Sequence, residues 1–307
     1  MTPLEILVVA LIIDAVVGDP HWMWSRLSHP VAMMGAVVKS ADDRFNAGLF
    51  RRAKGTAVMA ALVVVSLALG TAVSYLHYAS LIETIVVALL LAQNALARHV
   101  VDVGDALDRG LPEGRCAVAL IVGRDTAEMP HDGVIRSAIE SAAENLSDGV
   151  IAPAFWFLAL GLPGILMYKI VNTADSMIGY RTEKHRQFGW AAARLDDILN
   201  WIPARLTALL IAPRIVLSRN LRYLAADARR HRSPNAGWPE SAMARRLGIA
   251  LSGPRVYDGK PSDDPFVNAG ARKSLNTDDI RRCVRILWEN WALWLGTLGA
   301  IAILWRF

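Results

Sequence analysis

Residues 56–76 read TAVMAALVVVSLALGTAVSYL, 21 positions without one charged side chain. A bilayer's hydrocarbon core is about 30 Å thick and takes roughly 20 apolar residues as helix. No water is available there to satisfy the backbone, so such a run must be helical or part of a closed barrel. Residues 79–97 follow after a very short turn and carry only Glu83. Residues 288–305 end the apolar pattern, with Trp288, Trp291, Trp294 and Trp305 spaced like interfacial anchors. Residues 3–17 form a shorter candidate, with Asp14 near its end.

The 307 residues are 54% hydrophobic and 20% charged, but segregation into blocks argues for a membrane more strongly than the averages do. Two further apolar stretches are interrupted. Residues 150–171 are broken by Gly161-Leu162-Pro163-Gly164, which predicts a re-entrant hairpin. Residues 202–217 contain Pro203, Arg205, Pro213 and Arg214 and make a poor simple span. Arg44, Arg51, Arg52 and Lys54 flank the 56–76 stretch, whereas the turn at 78–80 has no basic residue. The basic side is therefore read as cytoplasmic, with both termini outside and about four true spans.

No low-complexity linker or fixed-period repeat divides the chain, so residues 1–307 are read as a single integral-membrane catalytic domain. The expected fold is an all-α polytopic membrane protein of about four to five transmembrane helices, with re-entrant or interfacial helices and cytoplasmic helical loops. The N-terminus lacks the features of a cleaved signal, so residues 2–17 are expected to be retained. A net charge of +5 follows from the cytoplasmic Lys and Arg excess. No basic run is interleaved with aromatics, which argues against nucleic acid as a partner. Cys116 and Cys283 stand apart, with no zinc spacing, and read as idle thiols.

Polar residues gather between 123 and 207. Glu140, Glu144 and Asp148 recur every four residues and share one helix face, with Asn145 beside them. Stacked carboxylates repel, a cost that magnesium would relieve; a solvated acidic face is the plain alternative. Asn172, Asp175 and Ser176 share another face, directly after the interrupted apolar stretch, and Arg181 and Lys184 could neutralise phosphate oxygens. Arg194, Asp196, Asp197 and Asn200, followed by Arg205, form a second acidic centre. Two acidic centres with several arginines suggest a metal-bound polyphosphate between them. Arg124-Asp125 and the SPNAG segment containing Asn235 read as turns by themselves. Arg219, Arg222, Arg229, Arg230 and Arg232 read as a lipid-facing or solvated surface. Neither GxxxxGK[ST] nor GxGxxG occurs in a βα context, so any ATP site would be unfamiliar.

GDPHW at 18–22, HPV at 29–31, GRD at 123–125, ESAAENLSDGVIAPAFW at 140–156, NTADSMIGYR at 172–181, FGWAAARLDDILNWIPARLT at 188–207 and SPNAG at 233–237 together resemble the adenosylcobinamide-phosphate synthase family of cobalamin biosynthesis. The resemblance runs in order over nearly the whole chain. Two positions depart from the pattern: VAMMG has no basic residue before its glycine, and Arg181 stands where lysine is common.

The resemblance implies a multi-pass inner-membrane enzyme with its active site on the cytoplasmic side. It also implies ATP- and Mg2+-dependent joining of adenosylcobyric acid to (R)-1-amino-2-propanol phosphate, with no tightly bound organic cofactor. The corrinoid carboxylate would attack the γ-phosphate, and the linker amine would capture the resulting acyl phosphate. Glu140, Glu144, Asp148 and Asp175 would hold magnesium. Arg124, Arg181 or Lys184 would hold the linker phosphate, and Asp196 or Asp197 would act as base. Further partners implied are membrane lipid and other late cobalamin-pathway membrane enzymes. Two rival readings are a membrane phosphoalcohol transferase, of which Asp148-Gly149 is a faint echo, and a corrinoid transporter, since broken helices and carboxylates also occur in transporters.

Overall fold

The structure is a computed structural model describing residues 1–18, 24, 28–123, 125–257, 260–262 and 264–304. Asp19, Pro20, His21, Trp22, Arg124 and Trp305 lie outside the described residues. In chain order the helices are α1 Pro3–Val17, α2 Pro30–Phe45, α3 Arg51–Ser74, α4 Ala79–Leu90, α5 Gln93–Arg109, α6 Leu111–Ala119 and α7 His131–Leu146. A π-helical turn, Ser147–Ile151, leads into α8 Ala152–Ile178. Then come α9 Trp190–Leu199, α10 Trp201–Ile211, α11 Pro213–Val216, α12 Leu221–Ala228, α13 Gly237–Leu247 and α14 Thr277–Leu304. Between α13 and α14 lie β1 Leu251–Ser252, β2 Arg255–Tyr257, β3 Lys260–Ser262 and β4 Phe266–Val267, four short strands that the all-α expectation did not include. They pair antiparallel, β1 with β4 and β2 with β3.

Four stretches among the described residues are long and apolar enough to cross a membrane: Arg51–Ser74, Ala79–Arg109, His131–Ile178 and Thr277–Leu304. Two are not simple rods. Leu91 is extended at ψ 157°, so the stretch expected to span at 79–97 ends as helix at Leu90 and restarts at Gln93. The restarted helix is amphipathic, burying Leu96, Val100, Val103 and Leu107 while exposing Arg98, Asp102 and Asp105. The other interruption is in α8, at Gly161. The stretch at 202–217 is likewise divided, since Pro213 disfavours helix at Ala212 and separates α10 from α11.

The described residues form two compact units interleaved along the sequence. One comprises Met1–Ala92, Asp148–Trp201 and Leu298–Phe307; the other comprises Gln93–Ser147 and Ile202–Thr297. In the first, α8 lies at the centre, packed by α1, α2, α3, α4 and α9. Gly161 takes φ 68° and ψ −154°, a conformation open to glycine and costly for other residues. The chain reverses there. The Tyr168 hydroxyl donates to the Asp148 carbonyl at 3.1 Å, although twenty residues of straight helix would separate them by about 30 Å. Gly164 confirms the fold-back, since a side chain there would strike the Trp156 carbonyl and Leu160.

α3 runs against this hairpin. A Cβ on Gly70 would lie 2.5 Å from Pro163 N and Cα, so glycine is what lets the helix reach the turn. Around the longer limb, Val38, Met59, Ala152, Tyr168, Val171 and Phe188 form part of one apolar cluster. In the second unit, α7 packs on α5, α6 and α13, and its buried face includes Val134, Ile135, Ala138, Ile139, Ala142 and Leu146.

Gly70→Leu is expected to destabilise the protein by about 1–3 kcal/mol through overpacking against the turn. The readout is a lower midpoint in a detergent thermal melt followed by size exclusion, whereas Gly296→Leu, whose surroundings are open, should melt like the unaltered chain.

Candidate functional site

Each unit carries its own polar cluster. In the first, the longer limb of α8 presents Tyr168, Asn172 and Asp175 at i, i+4 and i+7, on one face. Tyr168 is fully buried, and its single hydroxyl proton is shared between the Asp148 carbonyl and Asn200 Oδ1, the latter 2.9 Å away. Asn200 Nδ2 then donates to Asp196 Oδ2 at 3.0 Å, while Asn172 Nδ2 reaches Asp196 Oδ1 at 3.3 Å. Both oxygens of Asp196 therefore accept from side-chain amides. The charges of Asp148, Asp196 and Asp175 all act on the Tyr168 hydroxyl.

Burial raises the Asp196 carboxyl to about 6; the two amide donors oppose that shift and the charge of Asp197 adds to it. Asp197 is also raised by burial, against the charges of Arg194 and Arg181. The Arg194 guanidinium stands 3.5 Å from Asp197. Gly179 closes the helix by donating to the Asp175 carbonyl at 2.7 Å, and a Cβ there would collide with the Asp175 carboxylate. Arg181 and Ser176 are exposed.

Lys184 has a different neighbourhood. Its ammonium pairs with the buried Asp42 at 2.7 Å, and His185 Nε2 lies 3.3 Å from the same oxygen. Burial pushes Asp42 up, but hydrogen bonds from Lys184, Asn46 and His185 hold it below the ordinary range. The sequence reading missed Tyr168 and Asp42. Tyr168 was signalled by its phase, one helical turn before Asn172; Asp42 has Asn46 one turn away, but its charged partners Lys184 and His185 are more than 140 residues away and leave no local signal.

In the second unit Glu140 is buried, with Oε1 accepting from the Ser252 backbone N–H at 2.6 Å. One turn on, Glu144 is exposed, as is Asn145, whose amide donates to the Ser141 carbonyl at 2.9 Å. The SPNAG segment is more than a turn. Ser233 Oγ accepts from Asn235 N and Ala236 N at 3.2 Å each. Asn235 Oδ1 accepts from Arg205 Nη1 at 2.8 Å, and the guanidinium sits 4.8 Å from the centre of the Trp238 ring. His231 Nε2 faces the buried Glu240 at 3.3 Å. Burial alone would lower the His231 proton affinity, but the hydrogen bond and charge of Glu240, with the charge of Glu144, raise it to about 9. Asp125 accepts from Ala127 N at 2.9 Å, within a local turn.

Among the described residues no group of three or more His, Cys, Asp or Glu is arranged to hold a metal ion. These carboxylates do not form a ready-made protein cage. They suit magnesium in its commoner manner, in which one or two carboxylates share the ion with waters and phosphate oxygens.

The CobD/Cbib protein family matches residues 7–287. Cobalamin biosynthesis protein CobD of Rhizobium meliloti is 44% identical over 317 aligned residues, covering 98% of this chain and 97% of that relative. The protein of that name from Sinorhizobium fredii is 46% identical, covering 92% of each chain. The one from Rhodobacter capsulatus is 42% identical, covering 97% of each. No solved structure matches.

His231 is protonated in the folded protein up to about pH 9, above its ordinary 6.5, so its stabilisation is complete below pH 6.5 and is lost as pH rises through 9. Removing it is expected to cost on the order of 3 kcal/mol at neutral pH. Thermal melts of His231→Gln should show a lower midpoint at pH 7 and a smaller decline between pH 7.5 and 10 than the unaltered chain.

Proposed function

The chain belongs to the CobD/Cbib protein family, and from that premise we propose that it makes adenosylcobinamide phosphate in the membrane, using ATP and magnesium. It is a biosynthetic enzyme of cobalamin synthesis and a helical membrane protein. The reaction joins a corrinoid carboxylate to the amine of (R)-1-amino-2-propanol phosphate. In the first half, a carboxylate oxygen bonds to the γ-phosphorus of ATP as the bond to the β–γ bridging oxygen breaks, releasing ADP. In the second, the amine bonds to the acyl carbon, inorganic phosphate leaves, and the nitrogen loses a proton. Phosphorylation turns a poor leaving group into a good one, so the protein's work is positioning and charge neutralisation.

The single observation that supports this reading best is Asp196, half-buried, held by two amides and raised to about 6. A carboxylate with that affinity is ionised at neutral pH yet basic enough to take the proton of the attacking amine. Asn172 and Asn200 fix its orientation, and Tyr168 fixes Asn200. Arg181 and Arg194, exposed near Asp197, are suited to an incoming phosphate. Arg205, held by Asn235 and stacked on Trp238, is a second preorganised cation for a phosphate or carboxylate. Magnesium would be held by Asp148 and Asp175, or by Glu144, and would supply charge neutralisation of ATP phosphates. Glu140 carries a structural bond to Ser252 and is assigned to shaping the end of α7. We place the protein in the inner membrane, with these clusters on the cytoplasmic side where ATP is available.

The test is detergent-purified protein with adenosylcobyric acid, aminopropanol phosphate, ATP and magnesium, followed by mass spectrometry of the corrinoid. The expected result is a gain of one linker less water, dependent on ATP and accompanied by ADP. CMP release from a cytidine donor would favour a phosphoalcohol transferase instead, and unmodified corrinoid moved across a vesicle would favour a transporter. Asp196→Asn should lower kcat by about 10²–10⁴ with KM little changed, as loss of a general base does. The unaltered enzyme should lose rate as pH falls through about 6, where Asp196 takes up its proton.

A further inference from the structure

The basic segment after α10 has a use that the ligase chemistry does not claim. Between residues 212 and 230 the chain carries five arginines and one acid, Asp227. Arg214, Arg219 and Arg222 are exposed, and so are Leu217 at 80% and Tyr223 at 53%. Exposed cations alternate here with exposed apolar groups along α11, the turn at 218–220 and the start of α12.

Behind this ridge are two adjoining clefts, both within the second unit. One, of about 530 Å³, is lined by Ala212, Pro213, Arg214, Ile215, Arg245 and Arg246. The other, of about 490 Å³, shares Ile215 and Arg245 and adds Asn220, Tyr223, Asp227 and Asn268. The helix break at Ala212-Pro213, which ends α10 and starts α11, lines the first cleft.

The level of the cleft relative to the bilayer is set by Arg246. Its Nη1 donates to the Ile211 carbonyl at 3.1 Å, and its Nη2 pairs with Glu289 at 2.7 Å. Glu289 marks a boundary on α14. Asp278, Asp279, Arg281, Arg282 and Arg285 precede it, whereas residues 290–304 are uncharged. Trp288 and Trp291, in edge contact at 5.7 Å, flank that boundary as interfacial aromatics do. The arginine cleft is thereby tied to the polar end of an apolar span, at headgroup depth.

We propose that this cleft binds the phosphate of an anionic phospholipid, with Leu217 and Tyr223 entering the interface beside it. The chemistry is complementary: guanidinium forks for phosphate oxygens, apolar lining for the glycerol and upper chain, and exposed cations for the negative leaflet surface. Asp227 does not oppose the phosphate strongly, because Arg245 already pairs with it at 2.6 Å and the Asn268 N–H donates to the same oxygen.

The experiment is native mass spectrometry of the full chain in neutral detergent, titrated separately with phosphatidylglycerol, phosphatidylcholine and inorganic phosphate. The unaltered protein should retain phosphatidylglycerol at least tenfold better than phosphatidylcholine, and phosphate should not displace it. Arg214→Gln with Arg219→Gln, both exposed positions, should abolish that preference while the thermal midpoint stays unchanged; Arg214→Lys should keep most of it. Leu217→Ser alone should weaken retention of both lipids. The proposal is overturned if the unaltered protein holds both lipids equally, if the double variant keeps its preference, or if inorganic phosphate competes as well as lipid, which would mark a soluble-phosphate site.

Discussion

The reversal of α8 at Gly161 is the constraint on which the first unit depends. An apolar helix entering a hydrocarbon phase must satisfy its own backbone, and a break in it is tolerated only where other protein groups close around the gap. Here α3 closes over the turn, because Gly70 allows its backbone to reach Pro163. Tyr168 then ties the returning limb to the entering one, its hydroxyl proton shared between the Asp148 carbonyl and Asn200 Oδ1. Without the fold-back, Asp148 and Asp175 would lie at distant points of one rod; with it, both act on the same buried phenol.

That geometry explains how acidic residues persist in an apolar setting. A buried carboxylate is costly unless hydrogen-bonded, paired or neutralised by a proton. Asp196 is hydrogen-bonded twice and yet raised to about 6, so burial outweighs its partners and leaves it basic. Asp42 goes the other way, because a lysine, a histidine and an asparagine converge on it. The same residue type is thus tuned towards proton transfer in one place and towards structural pairing in another. In the second unit, Glu240 takes the structural course by holding His231 protonated, so that its Nδ1–H donates to the Ser233 carbonyl and steadies the loop that carries Asn235 and, through it, Arg205.

Much of this was legible in the chain. The uncharged run at 56–76 required a membrane helix, and the Gly-Leu-Pro-Gly break required some interruption of the apolar stretch at 150–171. The i, i+3 and i+4 spacing of Asn172, Asp175 and Ser176 does put them on α8, with Asn172 bonded to Asp196. Spacing could not distinguish Glu140 from Glu144, because periodicity places them on one face but says nothing of depth: Glu140 is buried against β1 and Glu144 is exposed. Nor could it assign Lys184, whose partner Asp42 comes from α2. The SPNAG segment looked like an ordinary turn, and its bond to Arg205 is a contact across thirty residues.

Sequence by itself determined the solvent this protein folds in, the helical class that follows from unsatisfied backbone groups in hydrocarbon, and the residue types available for chemistry. Those are properties of local composition and period, which survive without any knowledge of neighbours. Tertiary structure alone decided where α4 ends, which way α8 turns, which carboxylates are buried, and which cations are already paired. Each of these depends on groups distant in sequence meeting at a particular separation, and a charge's energy depends on that separation and on the water excluded around it.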